Sequence, residues 1–315
     1  MTKRTITAIV AAVLVAAVGV TVAVLRGGKD SGTAAQRSSF CWGTLKHTDV
    51  AALSVRPLRR YASDEGDLKG SRRADCEVGA GLDSHGAMQE PQFRLSVGGT
   101  PVTSVWTMAD AVAGVSAVRA PIAGVPGWVN RTMAGVLLPA RCSGELGSGS
   151  APYVRLEAEG GQDQAWQDGT LQRRMADVLM TAATGLARQL GCADAAFRAP
   201  GTAPRLLTKQ APAAGKACAL PGFGAPAKYT EQYVTGGGFR LWSCTLGTGG
   251  GAEGDQAHLT VTQDPYLVAL NATDPAAGSV TLKCGGRQTL VQTGTDDREL
   301  ARGLRAALAR AAGCS

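Results

Sequence analysis

The sequence carries few of the marks of a catalytic or metal-binding protein. Aromatic residues make up only 5% of it, and there are three histidines, His47, His85 and His258. No Cys-x-x-Cys occurs and no Cys or His pair has metal-ligand spacing, so no metal site is expected. No Gly-x-Ser-x-Gly elbow is present, and none of the histidines accompanies a serine or cysteine in a nucleophile motif. A strong excess of one charge is also missing. The formal net charge is +7, but Lys3, Arg4, Arg26 and Lys29 lie at the N-terminal end, and beyond Asp30 basic residues exceed acidic ones by only four. That balance is ordinary for a globular domain and does not describe a nucleic-acid partner. With so few aromatics and 44% apolar residues, any core must be built mainly from Ala, Val and Leu, and 42 glycines imply many turns and long loops. Nothing in the composition or motifs calls for a cofactor.

What is present begins with Ile6–Leu25, ITAIVAAVLVAAVGVTVAVL, which holds no charge and no proline. At about 1.5 Å per residue this stretch is roughly 30 Å long, the thickness of a bilayer's hydrocarbon core. Lys3 and Arg4 precede it, and Arg26 and Lys29 follow. A cleaved signal peptide would have a shorter apolar core followed by a small-x-small site, and Thr21-Val22-Ala23 is a poor one inside a run that continues. A lipoprotein would need a cysteine directly after the run, yet the first is Cys41. A signal anchor is therefore expected, with secretion after cleavage as the alternative. Eight cysteines, none of them in the anchor, suit an oxidising compartment and place the C-terminal part outside the cell membrane.

The eight cysteines fall into two sets of four with matching surroundings, which points to an internal repeat. In the first, Cys41 opens the unit, Cys76 lies in a strand-like ADCEV, Cys142 ends GVLLPARC and Cys192 ends LQRRMADVLMTAATGLARQLGC. In the second, Cys218 opens the unit, Cys244 lies in LWSCTL, Cys284 ends SVTLKC and Cys314 ends DDRELARGLRAALARAAGC. Val136, Leu138, Ala140 and Cys142 are expected on one strand face, and so are Val280, Leu282 and Cys284. FRLSV (93–97) and AHLTV (257–261) add one alternating strand to each unit. GWVNRT with GVLLP forms a further hairpin, and TMADAVAGV (107–115) an extra helix. Two closing helices are expected from Leu171, Met175, Val178, Ala182, Leu186 and Leu190, and from Leu300, Leu304, Leu308 and Ala311, with Asp296 and Glu299 as a capping box. Each ends in Gly-Cys, where a left-handed glycine turns the cysteine back toward the domain.

The expected architecture is α+β: a single N-terminal transmembrane helix followed by two related antiparallel-sheet-plus-helix disulfide domains. The order is a cytoplasmic N-terminus (1–5), the anchor (6–25), a flexible tether (26–39), a first domain (40–197), a Pro/Ala linker (198–216) and a second domain (217–315). From Cys284 a strand and turn carry the chain about 20 Å outward and a helix returns it about 25 Å, which brings Cys314 back to Cys284. The repeat extends this to Cys142–Cys192, and elimination leaves Cys41–Cys76 and Cys218–Cys244.

Other patterns are weaker. Gly249, Gly251 and Gly254 satisfy Gly-x-Gly-x-x-Gly, but a strand rather than a helix comes next, so no dinucleotide is expected. Glu157 and Glu159, with Asp163 and Asp168 after them, would supply paired carboxylates for a hydrolase, but read more simply as a strand's solvent face and a loop. His258 points outward into solvent. Arg298, Arg302 and Arg305 line the last helix opposite its leucines, with Arg310 near its end. Asn130-Arg-Thr132 and Asn271-Ala-Thr273 match the glycosylation sequon.

Cys41-x-x-x-Leu45, with Asp49-Val50-Ala51-Ala52-Leu53 after it and Cys76 on a strand, resembles small actinobacterial envelope proteins of unknown function, and Trp242-Ser-Cys244 matches the aromatic strand beside their second cysteine. The resemblance implies an envelope location and no activity. The expectation is a non-catalytic binding or interaction module held on the membrane by its N-terminal helix, with an envelope polymer or protein as partner. A hydrolase acting through the carboxylates around Glu157 is the alternative.

Overall fold

The structure is a computed structural model. It describes residues 38–315 except 55–56, 69–72, 102–119, 123–124, 131, 147–149, 159–169, 194–208, 235–241, 250–255, 264, 274–277, 296 and 315. The expected anchor at 6–25 and the expected extra helix at 107–115 lie outside the described residues. Among those described, no helix is long and apolar enough to cross a membrane.

The chain opens with β1 (Ser39–Phe40) and β2 (Leu45–Lys46), a short antiparallel pair leading into α1 (His47–Leu53). The Asp49 carboxylate accepts the Lys46 N–H at 2.8 Å and closes the first turn of α1. β3 (Ala62–Glu65) and β4 (Arg73–Gly79) come next, then a small hairpin of β5 (Gly81–Leu82) and β6 (Met88–Gln89). β7 (Phe93–Pro101), β8 (Ala120–Pro121), β9 (Gly127–Val129), β10 (Met133–Leu137) and β11 (Ser150–Ala158) complete the strands of this half, and α2 (Thr170–Gln189) closes it. The second half has β12 (Glu231–Val234), β13 (Trp242–Gly247), β14 (Gln256–Thr262), α3 (Pro265–Thr273), β15 (Ser279–Cys284), β16 (Arg287–Gly294) and α4 (Arg298–Ala312).

Two antiparallel sheets result, one ordered β3-β4-β7-β11-β10-β9-β8 and the other β12-β13-β14-β16-β15. Without β8 and β9, the first has the same order as the second. The registers agree too: Cys76 pairs with Leu95 and Leu95 with Leu156, as Cys244 pairs with Leu259 and Leu259 with Thr293. In each half the closing helix comes directly after the fourth strand of the shared order. The backbone matches at a finer level. Cys41 and Trp42 have φ of 50° and 58°, and Cys218 and Ala219 both have 56°. Non-glycine residues rarely enter this left-handed region, at a cost of about 1 kcal/mol or more each. A side chain offsets part of that cost in each half: Glu65 accepts the Trp42 N–H at 3.0 Å, and Gln232 accepts the Cys218 N–H at 2.7 Å.

Period-two alternation puts Ala74, Cys76 and Val78, Phe93, Leu95 and Val97, and Val154, Leu156 and Ala158 on the inner face of the first sheet. Against it α2 buries Met175, Val178, Ala182 and Leu186, and also Ala176, Leu179, Ala183 and Ala187, a wide apolar face shared between the sheet and α1. The second core joins Trp242, Cys244 and Leu246, Leu259 and Val261, and Val291 to Leu300, Leu304, Ala307 and Leu308 of α4. The two cores have no residue in common.

The helix ends carry the Gly-Cys geometry. Gly191 (φ 67°) and Gly313 (φ 60°) are left-handed, and the N–H groups of Cys192 and Cys314 donate to Ala187 and Ala309 at 2.8 Å. The next residue thus folds back over the last turn.

Several local expectations are corrected. β1 begins at Ser39, within the expected tether. β10 stops at Leu137, and after Pro139 the chain turns into a single 3-10 turn (Ala140–Gly144) carrying Cys142, so the alternation ends before Ala140, which is exposed. Proline has no N–H to continue a ladder. The last part of the expected linker is structured, with Gln210 and Gln232 exchanging both backbone hydrogen bonds, at 3.0 and 2.7 Å. Asp297 is the N-cap of α4, accepting from the N–H groups of Glu299 and Leu300, one residue beyond Asp296. Ala307 rather than Ala311 completes the buried stripe.

A fragment beginning at Lys209 is therefore expected to melt cooperatively under oxidising conditions and to outlast one beginning at Lys216. The shorter fragment loses two backbone hydrogen bonds of about 1 kcal/mol each and the partner of the buried Glu231 carboxylate, which Lys209 holds. Circular dichroism should place its transition several degrees lower, and equal transitions would show that the Gln210 pairing adds nothing.

Candidate binding surfaces

Each closing helix covers one sheet face. The other face is polar over the central strands, while at its far end it buries Trp128 and Leu137 in the first sheet and, in the second, Leu290 against Val268 of α3. On β4, β7 and β11 of the first sheet, those positions form two rows across the strands: Asp75, Ser96 and Arg155, then Glu77, Arg94 and Glu157. Each carboxylate on these strands has an arginine beside it, across the row for Glu77 and along the strand for Asp75 and Glu157. Arg73 meets Asp75 at 3.0 Å, Arg155 meets Glu157 at 3.4 Å, and Arg94 hydrogen-bonds Glu77. Ser96, 1% exposed, donates its hydroxyl to Asp75.

This lattice moves its titrations outward. Burial pushes the Asp75 carboxyl up, but hydrogen bonds from Ser96 and Arg73 and the charges of Arg73 and Arg94 more than offset that and hold it below the usual carboxylate range. The hydrogen bonds to Asp75 and Glu77 raise Arg73 and Arg94 in turn. The expected carboxylate pair is not assembled among the described residues, because Glu159, Asp163 and Asp168 lie outside them. Glu157 is held by Arg155, and Arg94 stands between it and Glu77 in the strand register. Chemistry at Glu157 would require breaking an ion pair. The lattice was visible in the sequence only as Arg-x-Asp-x-Glu and Arg-x-Glu on separate strands; the register that joins them was not.

The same positions in the second sheet hold no Asp, Glu, Lys or Arg. Ser243, Thr260 and Gln292 replace the first row, and Thr245, His258 and Gly294 the second. His258 is half-buried rather than simply solvated, its Nδ1 3.1 Å from the Thr245 hydroxyl. His47 lies edge-on to Tyr61 with ring centroids 5.3 Å apart, and His85 sits in an exposed turn where its N–H donates to Asp83 at 2.8 Å. No group of three or more His, Cys, Asp or Glu among the described residues is placed to hold a metal ion.

All eight cysteines are bridged, as Cys41–Cys76, Cys142–Cys192, Cys218–Cys244 and Cys284–Cys314, with Cα separations of 5.4, 5.1, 5.5 and 4.0 Å. Four bridges suit an oxidising, extracytoplasmic compartment. Arg141 donates its Nε–H to the Cys192 carbonyl at 2.6 Å, satisfying an acceptor just past the end of α2. Both sequon asparagines are buried, Asn130 at 8% and Asn271 at 6% exposure. Asn130 also accepts from the N–H groups of Thr132 and Met133, closing the turn between β9 and β10, so it is a structural residue and no accessible acceptor for glycosylation. Gly249 precedes β14, a strand, whereas the dinucleotide fingerprint opens a helix. Arg298 and Arg302 are exposed on α4, opposite its leucines, with Arg305 half-buried beside them.

No protein-family model, curated protein or solved structure matches the chain.

Because Asp75 binds its proton less readily folded than unfolded, it stabilises the fold above the ordinary aspartate value of about 3.9, and that contribution is lost as pH falls through the lowered folded value. Replacing Asp75 with Asn should flatten the acid limb of the melting temperature between about pH 4 and 2 and leave Ser96 a poorer partner. An unchanged acid limb would mean that Asp75 does not titrate as part of the lattice.

Proposed function

We propose that this chain is a non-catalytic binding module on the outer side of a bacterial cell membrane, held there by Ile6–Leu25 and built from two duplicated disulfide domains. This location is also what the resemblance to actinobacterial envelope proteins implies. One observation carries the reading as a binder: the charged side chains of β4, β7 and β11 on the open face of the first sheet are committed to one another, in the pairs Arg73–Asp75, Arg94–Glu77 and Arg155–Glu157. Such a face is a prearranged surface whose carboxylates on β4 and β11 are held by arginines, with Asp64 of β3 exposed beside Glu77. The second sheet offers the same scaffold with Ser, Thr, Gln and His in place of the acidic and basic groups, so the two halves suit different parts of a partner.

A reporter active only outside the cytoplasm, fused after Ser315, should be active, and the full chain should stay with membranes through a high-salt wash. A soluble mature form starting near Ala34 would support secretion instead. The functional test uses the immobilised full chain in detergent with a solubilised envelope fraction. A saturable envelope component should be retained equally by the wild type and by Glu157→Gln. Turnover of an envelope polymer, abolished by Glu157→Gln, would replace this reading with the hydrolase.

A further inference from the structure

The two halves differ in the segment directly after their first cysteine. In the first, Trp42–Thr44 and then α1 lie against the closing helix: Gln189 donates to the Trp42 carbonyl, and a Cβ on Gly185 would meet Thr44 at 2.9 Å. In the second, no helix succeeds Cys218, and the chain runs through Gly222-Phe223-Gly224 to Pro226 beside α4. An open groove of about 420 Å³ lies between that segment and the helix.

We propose that this groove binds a short extended peptide with free ends. The inference rests on the reading of the chain as a binding module. Glu299, Gly303, Ala306 and Arg310 recur at four-, three- and four-residue spacing and form the helix wall. Its two ends have opposite charge. The exposed Glu299, with Asp297 beside it, receives the ammonium, and the exposed Arg310 receives the carboxylate. Eleven helical residues separate them by roughly 16 Å, the reach of about five extended residues. Phe223, 5% exposed, is the apolar floor. Gly222 has φ of 73°, which L side chains rarely adopt, so the wall holds a bare backbone, with Arg310 Nη2 3.8 Å from where a Cβ would stand. The exposed N–H of Gly224 donates to no group among the described residues and can pair with a peptide strand lying along it.

The probe is a randomised mixture of free-ended pentapeptides passed over the immobilised full chain in detergent, with bound peptides read by mass spectrometry. Ala306 is exposed on the helix, so Ala306→Leu should fill the groove and leave the melting temperature unchanged. Wild-type retention should exceed that of Ala306→Leu by about fivefold or more. Arg310→Gln, whose arginine is exposed, should weaken it about threefold to fivefold, and the same mixture acetylated and amidated should lose its enrichment. Equal retention by wild type and both variants, or by free and blocked mixtures, overturns the proposal. If an envelope component is still retained in that case, only the peptide site falls and the binding-module reading stands.

Discussion

The fold depends on fastening a helix to a sheet that is poor in large side chains. Both cores rely on Ala, Val and Leu, and helix positions such as Ala176, Ala183 and Ala187 bring backbones close but bury little area each. A fully buried leucine contributes about 1.5–3 kcal/mol and an alanine much less. Cross-links over 26 to 50 residues contribute about 3.5–4 kcal/mol apiece in the chain-entropy account. The two in each half together come to about 7–8 kcal/mol, within the range of a whole domain's stability. The location of the bridges matters as much as their number. Cys142–Cys192 and Cys284–Cys314 tie the C-terminal ends of the closing helices to the sheets they cover, while Cys41–Cys76 and Cys218–Cys244 tie the entering chain to the second strand of the shared order.

With each helix fixed over one face, the other face is free to vary. In the first sheet it became a lattice of opposite charges around a buried serine, and in the second a set of Ser, Thr, Gln and His. Shared strand order, matching register at Cys76 and Cys244, and paired left-handed residues at Cys41–Trp42 and Cys218–Ala219 are common to both halves despite that difference. The retained features are those that position the bridges; the changed ones point outward.

Much of the framework was legible because it rests on local rules. Gly191-Cys192 and Gly313-Cys314 announce a helix end and the direction of the next side chain, and period-two alternation places Cys76 and Cys244 on inner faces. What failed to show depends on distant contacts. Nothing in Cys-Trp or Cys-Ala signals positive φ, which exists because the strand residues Glu65 and Gln232 reach the freed N–H groups. The prolines between the halves suggest a linker, yet Gln210 finds an edge strand to pair with. Asp296 and Asp297 are equivalent as capping residues until the chain's path selects one. The charges on β4, β7 and β11 become a surface only once the strands are set side by side.

The central claim is that each half is pinned by its own two bridges in one repeated arrangement. Proteolysis of the unreduced full chain, with mass spectrometry of the linked peptides, tests it most directly. The account predicts Cys41 joined to Cys76, Cys142 to Cys192, Cys218 to Cys244 and Cys284 to Cys314. A peptide joining Cys244 to Cys284, or any cysteine of the first half to one of the second, would contradict it.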